Sequence, residues 1–151
     1  MAIAGKHFYH GAALSLITDH VDFVGLSRIK DIASNAFALN NNIGVFVKHT
    51  EGKASPWVFG FTPEHQEAVR HLFDRFKKRA FVVCVCPPAG ICILTYGEYA
   101  AVIDENFNVQ GNLTIKRPSG GGFRVNGPKG QLKPIIPLKR FPQLLFESSR
   151  H

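Results

Sequence analysis

The sequence predicts a single α/β or α+β domain: a mixed, mostly antiparallel sheet flanked by two or three helices. Three observations carry that prediction. Residues 43–49 are apolar on both faces, Ile43, Val45 and Val47 on one and Phe46 on the other, as a central strand covered from both sides requires. Residues 63–78 combine every local helix signal. Residues 80–86, AFVVCVC, form a continuous apolar run of strand length. At 151 residues with 45% hydrophobic content, the chain is long enough to bury a core of its own.

Taken in order, residues 10–19 place Ala13, Leu14, Leu16 and Ile17 at the spacing of a short amphipathic helix. His7 and His10 lie three apart and could share a helical face, but two histidines without an HExxH pattern make an incomplete metal site. Residues 21–30 read as a loop with a short extended piece. Three strands follow, at 36–39, 43–49 and 56–61, separated by the turn-forming Asn40-Asn41-Asn42 and by Gly52. Lys48 is the charge that breaks the middle strand, near its end. A lysine there either snorkels to water or is a site lysine held on a rigid element.

Thr62 is a natural N-cap, Pro63 suits the first helical position, and Glu64 and Glu67 lie where the macrodipole favours acids. Ala68, Val69, Leu72, Phe73 and Phe76 make one apolar stripe. Lys77, Lys78 and Arg79 complement the C-terminal end of that helix. After the apolar strand 80–86, a Pro87-Pro88-Ala89-Gly90 turn leads to a paired strand at 91–94, and residues 97–103 read as a short helix, ended by residues 104–108. Residues 112–117 and 123–126 read as a hairpin around a glycine-rich loop. Residues 132–151 hold Pro134, Pro137 and Pro142 among apolar residues, so they are expected to form an extended, non-helical arm packed on a domain of residues 1–131.

The net charge of +7 favours a polyanionic partner. Lys116, Arg117, Arg124 and Lys129 gather around the glycine-rich turn, and Lys48 and Lys53 add to them. Backbone that permits close approach, together with several cations, suits a phosphate backbone, although no GxxxxGK[ST] pattern is present. Trp57 and Phe123 are the aromatics within reach of a stacking role, with Trp57 also read as a core residue. Cys84, Cys86 and Cys92 lack zinc-knuckle spacing and read as buried, reduced residues. No apolar run reaches the roughly 20 residues a membrane span needs, and no secretory signal is evident, so a cytoplasmic location without membrane association is expected.

The order of a lysine-ended strand hairpin, a strand carrying Trp57, a helix, a hydrophobic strand pair and a short helix resembles the core of restriction-endonuclease-like domains over residues 36–103. That resemblance implies an acid-x-lysine motif, with Lys48 at the lysine position. The acid's position falls on Phe46, which cannot ligate a metal. Nucleic-acid binding on a nuclease-like scaffold, without standard catalysis and without a cofactor, is therefore the expected function. The alternative is a metal-dependent nuclease whose site is rearranged around Asp31, Lys48 and Glu51 and uses Mg²⁺. A protein–protein module, with a protein partner or a second copy of the chain held by the C-terminal arm, is the third reading.

Overall fold

A computed structural model describes residues 3–103 and 108–147. The chain folds as one α+β unit whose strands divide between two sheets. A helix α1 (Gly5–Thr18) is followed by β1 (Leu26–Arg28), β2 (Ala36–Leu39) and β3 (Ile43–Lys48), an antiparallel meander. The chain then leaves this sheet through β4 (Trp57–Phe61) and the helix α2 (Pro63–Phe76). It returns as β5 (Ala80–Cys86), parallel to β3, and β6 (Gly90–Thr95), antiparallel to β5. The first sheet thus has the order β1-β2-β3-β5-β6, with β3 at its centre.

The second sheet has the order β4-β7-β8-β9, where β7 is Gly111–Lys116, β8 is Arg124–Gly127 and β9 is Gly130–Gln131. A short helix α3 (Tyr96–Val102) precedes it. The expectation of one sheet is thus refined, and side-chain alternation explains why. In β4, Trp57, Phe59 and Phe61 are buried while Val58 is exposed, and β7 buries Leu113 and Ile115 between polar residues. Such strands have one wet face and belong to a separate antiparallel layer.

The core has two parts, one on each face of the first sheet. On one side Phe46, Val82, Cys84 and Leu94 pack against Trp57, Phe59, Phe61, Ile115 and Val125 of the second sheet, with Val69 and Leu72 of α2. On the other, Val45, Val47, Val83 and Ile93 meet Ala13 and Ile17 of α1 and Phe141, Leu145 and Phe146 near the C-terminus. The β3–α2 contact is close: a Cβ on Gly44 would stand 2.4 Å from the Phe76 ring and 2.9 Å from Leu72. Burying apolar area on both faces contributes on the order of 25 cal/mol per Å², which makes this strand the keystone of the fold.

The helix at 63–78 ends as an α-helix at Phe76, and Lys77–Arg79 continue as a 3₁₀ turn, with Lys77 at φ 55°. Helix α1 begins at Gly5, earlier than its apolar pattern suggests. The expectation that the C-terminal segment lacks helix needs a correction. Leu138–Arg140 form a 3₁₀ turn and Gln143–Glu147 a helical turn, α4. Pro142 precedes this turn and so costs it no interior hydrogen bond.

Candidate functional site: a lysine–histidine cleft and a cationic sheet end

Lys48 ends β3 beside the first turn of α2. Thr62 caps that helix: its hydroxyl accepts from the His65 N–H, and His65 Nδ1 accepts from the Thr62 N–H at 3.3 Å. A histidine thus fills the place of the glutamate in a capping box. Lys48 Nζ donates to the same Nδ1 at 3.3 Å and lies 5.2 Å from the centre of the Phe61 ring. With Nδ1 acting as acceptor, the proton of a neutral His65 sits on Nε2. Among the described residues Lys48 has no carboxylate partner. Burial lowers its pKa, with the Cys84 thiol a smaller opposing influence.

Across the cleft, His10 of α1 places Nε2 3.1 Å from Nδ1 of His49, which follows Lys48. Tyr9 stacks on the His49 ring, and His49 Nε2 lies 3.9 Å from the exposed Glu51 carboxylate. Burial, with the neighbouring His49 and Lys6, brings the His10 pKa down to about 4. Burial also lowers His49 against the pull of Glu51, and lowers His65 with help from Lys48. At neutral pH the three imidazoles are therefore uncharged hydrogen-bonding groups. Lys6, Ser34, Asn35 and Val47 complete the lining of a cleft of about 190 Å³. Asn35 is fixed by donating to the Val47 carbonyl at 2.7 Å. A neighbouring cavity of about 220 Å³ shares Lys6, His10 and Ser34.

The second grouping lies on the outer sheet. Lys116 and Arg124 are cross-strand partners in β7 and β8, both exposed on its wet face. Arg117 follows directly; its N–H donates to the Ser55 hydroxyl and its Nε to the Gly121 carbonyl, each at 3.0 Å. The Ser55 contact brings in the loop that carries the exposed Lys53. Residues 49–56 therefore run from the histidine cleft to this cationic end. Like charges directly opposite one another in a sheet are destabilising.

The structure does not unite all the residues singled out in the sequence. Lys53, Lys116, Arg117 and Arg124 share one end of the outer sheet. Lys129 sits beyond the other end of β8, roughly 10 Å away by strand rise, with Nζ donating to the Ala100 carbonyl. Lys48 occupies the separate cleft. Asp31 accepts from Arg75 at 2.6 Å, near the C-terminal end of α2, whereas His65 beside Lys48 is at the N-terminal end. Ten residues of helix put these about 15 Å apart. Glu51 lies close to His49 but exposed. Among the described residues, no group of three or more His, Cys, Asp or Glu could hold a metal ion.

Trp57 and Phe123 are buried, and the Trp57 indole donates to the Pro87 carbonyl at 2.8 Å, so neither ring is presented for base stacking. All three cysteines are buried free thiols. The His10–His49 and Lys48–His65 contacts are not legible in the sequence, because each pairs residues distant along the chain. A further basic region, Arg75 and Lys77–Arg79 beside Asn41 and Asn42, lines an open hollow of about 690 Å³ at the opposite end of α2. Arg75 there is engaged by Asp31. No helix among the described residues is long and apolar enough to cross a membrane. Comparison with protein-family models, curated proteins and solved structures finds no match to this chain.

Proposed function

We propose that this chain is a nucleic-acid-binding domain whose contact surface is the cationic end of the outer sheet, Lys53, Lys116, Arg117 and Arg124. The observation that carries the reading is the Lys116–Arg124 cross-strand pair. Two cations held opposite each other on a solvated sheet face, with no acid on that face among the described residues, weaken the fold slightly unless an external anion lies across them. A phosphate backbone supplies such anions at regular spacing. The nuclease-like scaffold reading is supported by Lys48 at the end of a central strand beside the start of α2. The separation of Asp31 from Lys48 argues against a rearranged three-residue metal site, so binding without standard catalysis is the form we favour. A cytoplasmic location accords with this reading.

Anisotropy of labelled duplex DNA, single-stranded DNA and RNA, at low and moderate salt with Mg²⁺ present, tests it. Binding should weaken steeply with salt and drop in a Lys116→Ala/Arg124→Ala double variant. A Lys77→Ala/Lys78→Ala variant, equally reduced in charge but at a different surface, should bind normally. Equal losses in the two variants would reduce the effect to net charge and sink the assignment.

A second reading, association with a protein partner or another copy of the chain, moves from the C-terminal arm to α1. Phe141, Leu145 and Phe146 are committed to the core, whereas Phe8 and Leu16 of α1 are exposed, as are Val21 and Val24 beyond it. Sedimentation of Phe8→Ser against the parent chain tests this reading.

A further inference from the structure

We propose that the cleft around Lys48 is a seat for a phosphate group of the monoester class, distinct from the cationic sheet end. This inference goes beyond the nucleic-acid reading and does not depend on it. The starting observation is a half-buried ammonium group that donates to the His65 ring and has no carboxylate partner among the described residues. A half-buried cation without a counter-charge is costly, and fold stability alone does not select for one. A methionine or leucine would fill the end of β3 and pack on Phe61 at lower cost. The group beside Lys48 is also the wrong one for a structural ion pair. It is the first turn of α2, whose dipole carries partial positive charge even though Thr62 and His65 already cap its N–H groups in part. Lys48 and the helix start therefore both favour an anion.

The remaining lining supplies neutral donors and one more cation. His65 has Nδ1 occupied by Thr62 and Lys48, which leaves its Nε2–H as a donor. Ser34 offers a hydroxyl, and Lys6 a second ammonium at the mouth. His10 and His49 hold one another, so one ring nitrogen of each is fixed and the pair stays uncharged at neutral pH. Two lysines and neutral donors match an anion with several acceptor oxygens better than a carboxylate with two. The cleft's volume of about 190 Å³ accommodates a phosphate, and the adjoining cavity of about 220 Å³ offers room for what the phosphate is attached to. Two sources share this chemistry: the phosphorylated end of a nucleic-acid strand, and a free phosphate or mononucleotide.

The test is a proton NMR titration of the histidine ring signals with inorganic phosphate, then with a nucleoside monophosphate, in the parent chain and in Lys48→Met. His10, His49 and His65 should shift saturably, while His71, on the outer face of α2, should not. Lys48→Met should abolish the shifts, and Lys48→Arg should retain them in part; a dispersed spectrum shows that each variant is folded. Anisotropy with 5′-phosphorylated and 5′-hydroxyl oligonucleotides then separates the sources. At least tenfold tighter binding of the phosphorylated strand, lost in Lys48→Met, assigns the strand end. Histidine shifts with phosphate and no oligonucleotide binding assign the free ligand, which leaves this inference standing and removes the nucleic-acid reading. Absent shifts, or shifts that persist in Lys48→Met, overturn the inference. Binding of both oligonucleotides that Lys48→Met leaves unchanged, without histidine shifts, overturns it while leaving the nucleic-acid reading in place.

Discussion

Replacing Arg124 by threonine should make the protein more stable and a poorer ligand for nucleic acid at once. The side chain lies on the wet face of the outer sheet, directly opposite Lys116, so the change removes no core contact. Cβ atoms of cross-strand partners are about 5 Å apart, and the charged heads splay to roughly 7 Å. Two unit charges at that distance in water repel by about 0.6 kcal/mol, and less as salt screens them. Threonine also suits a pleated, half-exposed surface. Urea unfolding should therefore show a gain of about 0.3–0.6 kcal/mol at 10 mM salt that shrinks at 0.5 M, and the shrinking part measures the charge repulsion. In binding, loss of one phosphate contact should make the plot of log affinity against log salt shallower by about 0.9. An unchanged slope would refute the assignment of Arg124 to a phosphate contact. A stability gain that ignores salt would refute the repulsion argument, because threonine's strand preference would then account for all of it.

Three other outcomes are expected. Gly44→Ala should destabilise the chain by about 1–3 kcal/mol in urea unfolding, because the new methyl meets Phe76 and Leu72 below contact distance in a packed core. Acidification should destabilise it through His10, His49 and His65. Their folded pKa values lie below the ordinary 6.5, so the unfolded chain binds more protons as pH falls. That stability is present above about pH 6.5 and is lost on the way to pH 4; comparing urea midpoints at pH 7 and 5 checks it, and His10→Gln should flatten the difference despite the facing Lys6, His7, Lys48 and Glu51. Finally, burial pushes the Cys84 thiol up to about 12 and also raises Cys86 and Cys92, so the native chain should resist iodoacetamide at pH 8 and react only when unfolded. Rapid labelling of the folded protein would contradict the burial of β5 and β6.

The parts of the fold that read correctly from sequence are those with a local cause. Thr62 and Pro63 begin α2 because capping is decided within four residues, and the two-faced apolar pattern of β3 places it mid-sheet. The division into two sheets has a non-local cause. Phe61 pairs with Gly111 and Trp57 with Ile115, partners some fifty residues on, and periodicity carries no information about partner choice. The site divides in the same way. Lys48 stands out because a charge ends an apolar strand, and Lys116 and Arg124 because they flank one hairpin. His10 and His49 are unremarkable in their own segments and meet only when α1 is laid on the sheet. Asp31 shows the converse: grouped with Lys48 and Glu51 in the alternative nuclease site, it is held by Arg75 at the far end of α2.

The placement of β4 inside the connection between β3 and β5 bears on the order in which the chain matures. Its hydrogen-bonding partner β7 is not synthesised until residues 111–116, after the whole first sheet has been made. Until then Trp57, Phe59 and Phe61 have no sheet to pair with and present an apolar ribbon to the ribosome's surroundings. A chain stopped near residue 103 would hold every strand of the first sheet and still lack the layer that covers one side of it. The outer sheet is thus a late step of biogenesis, followed by the C-terminal segment that covers the opposite face, and fragments that omit it are expected to require chaperones or to aggregate.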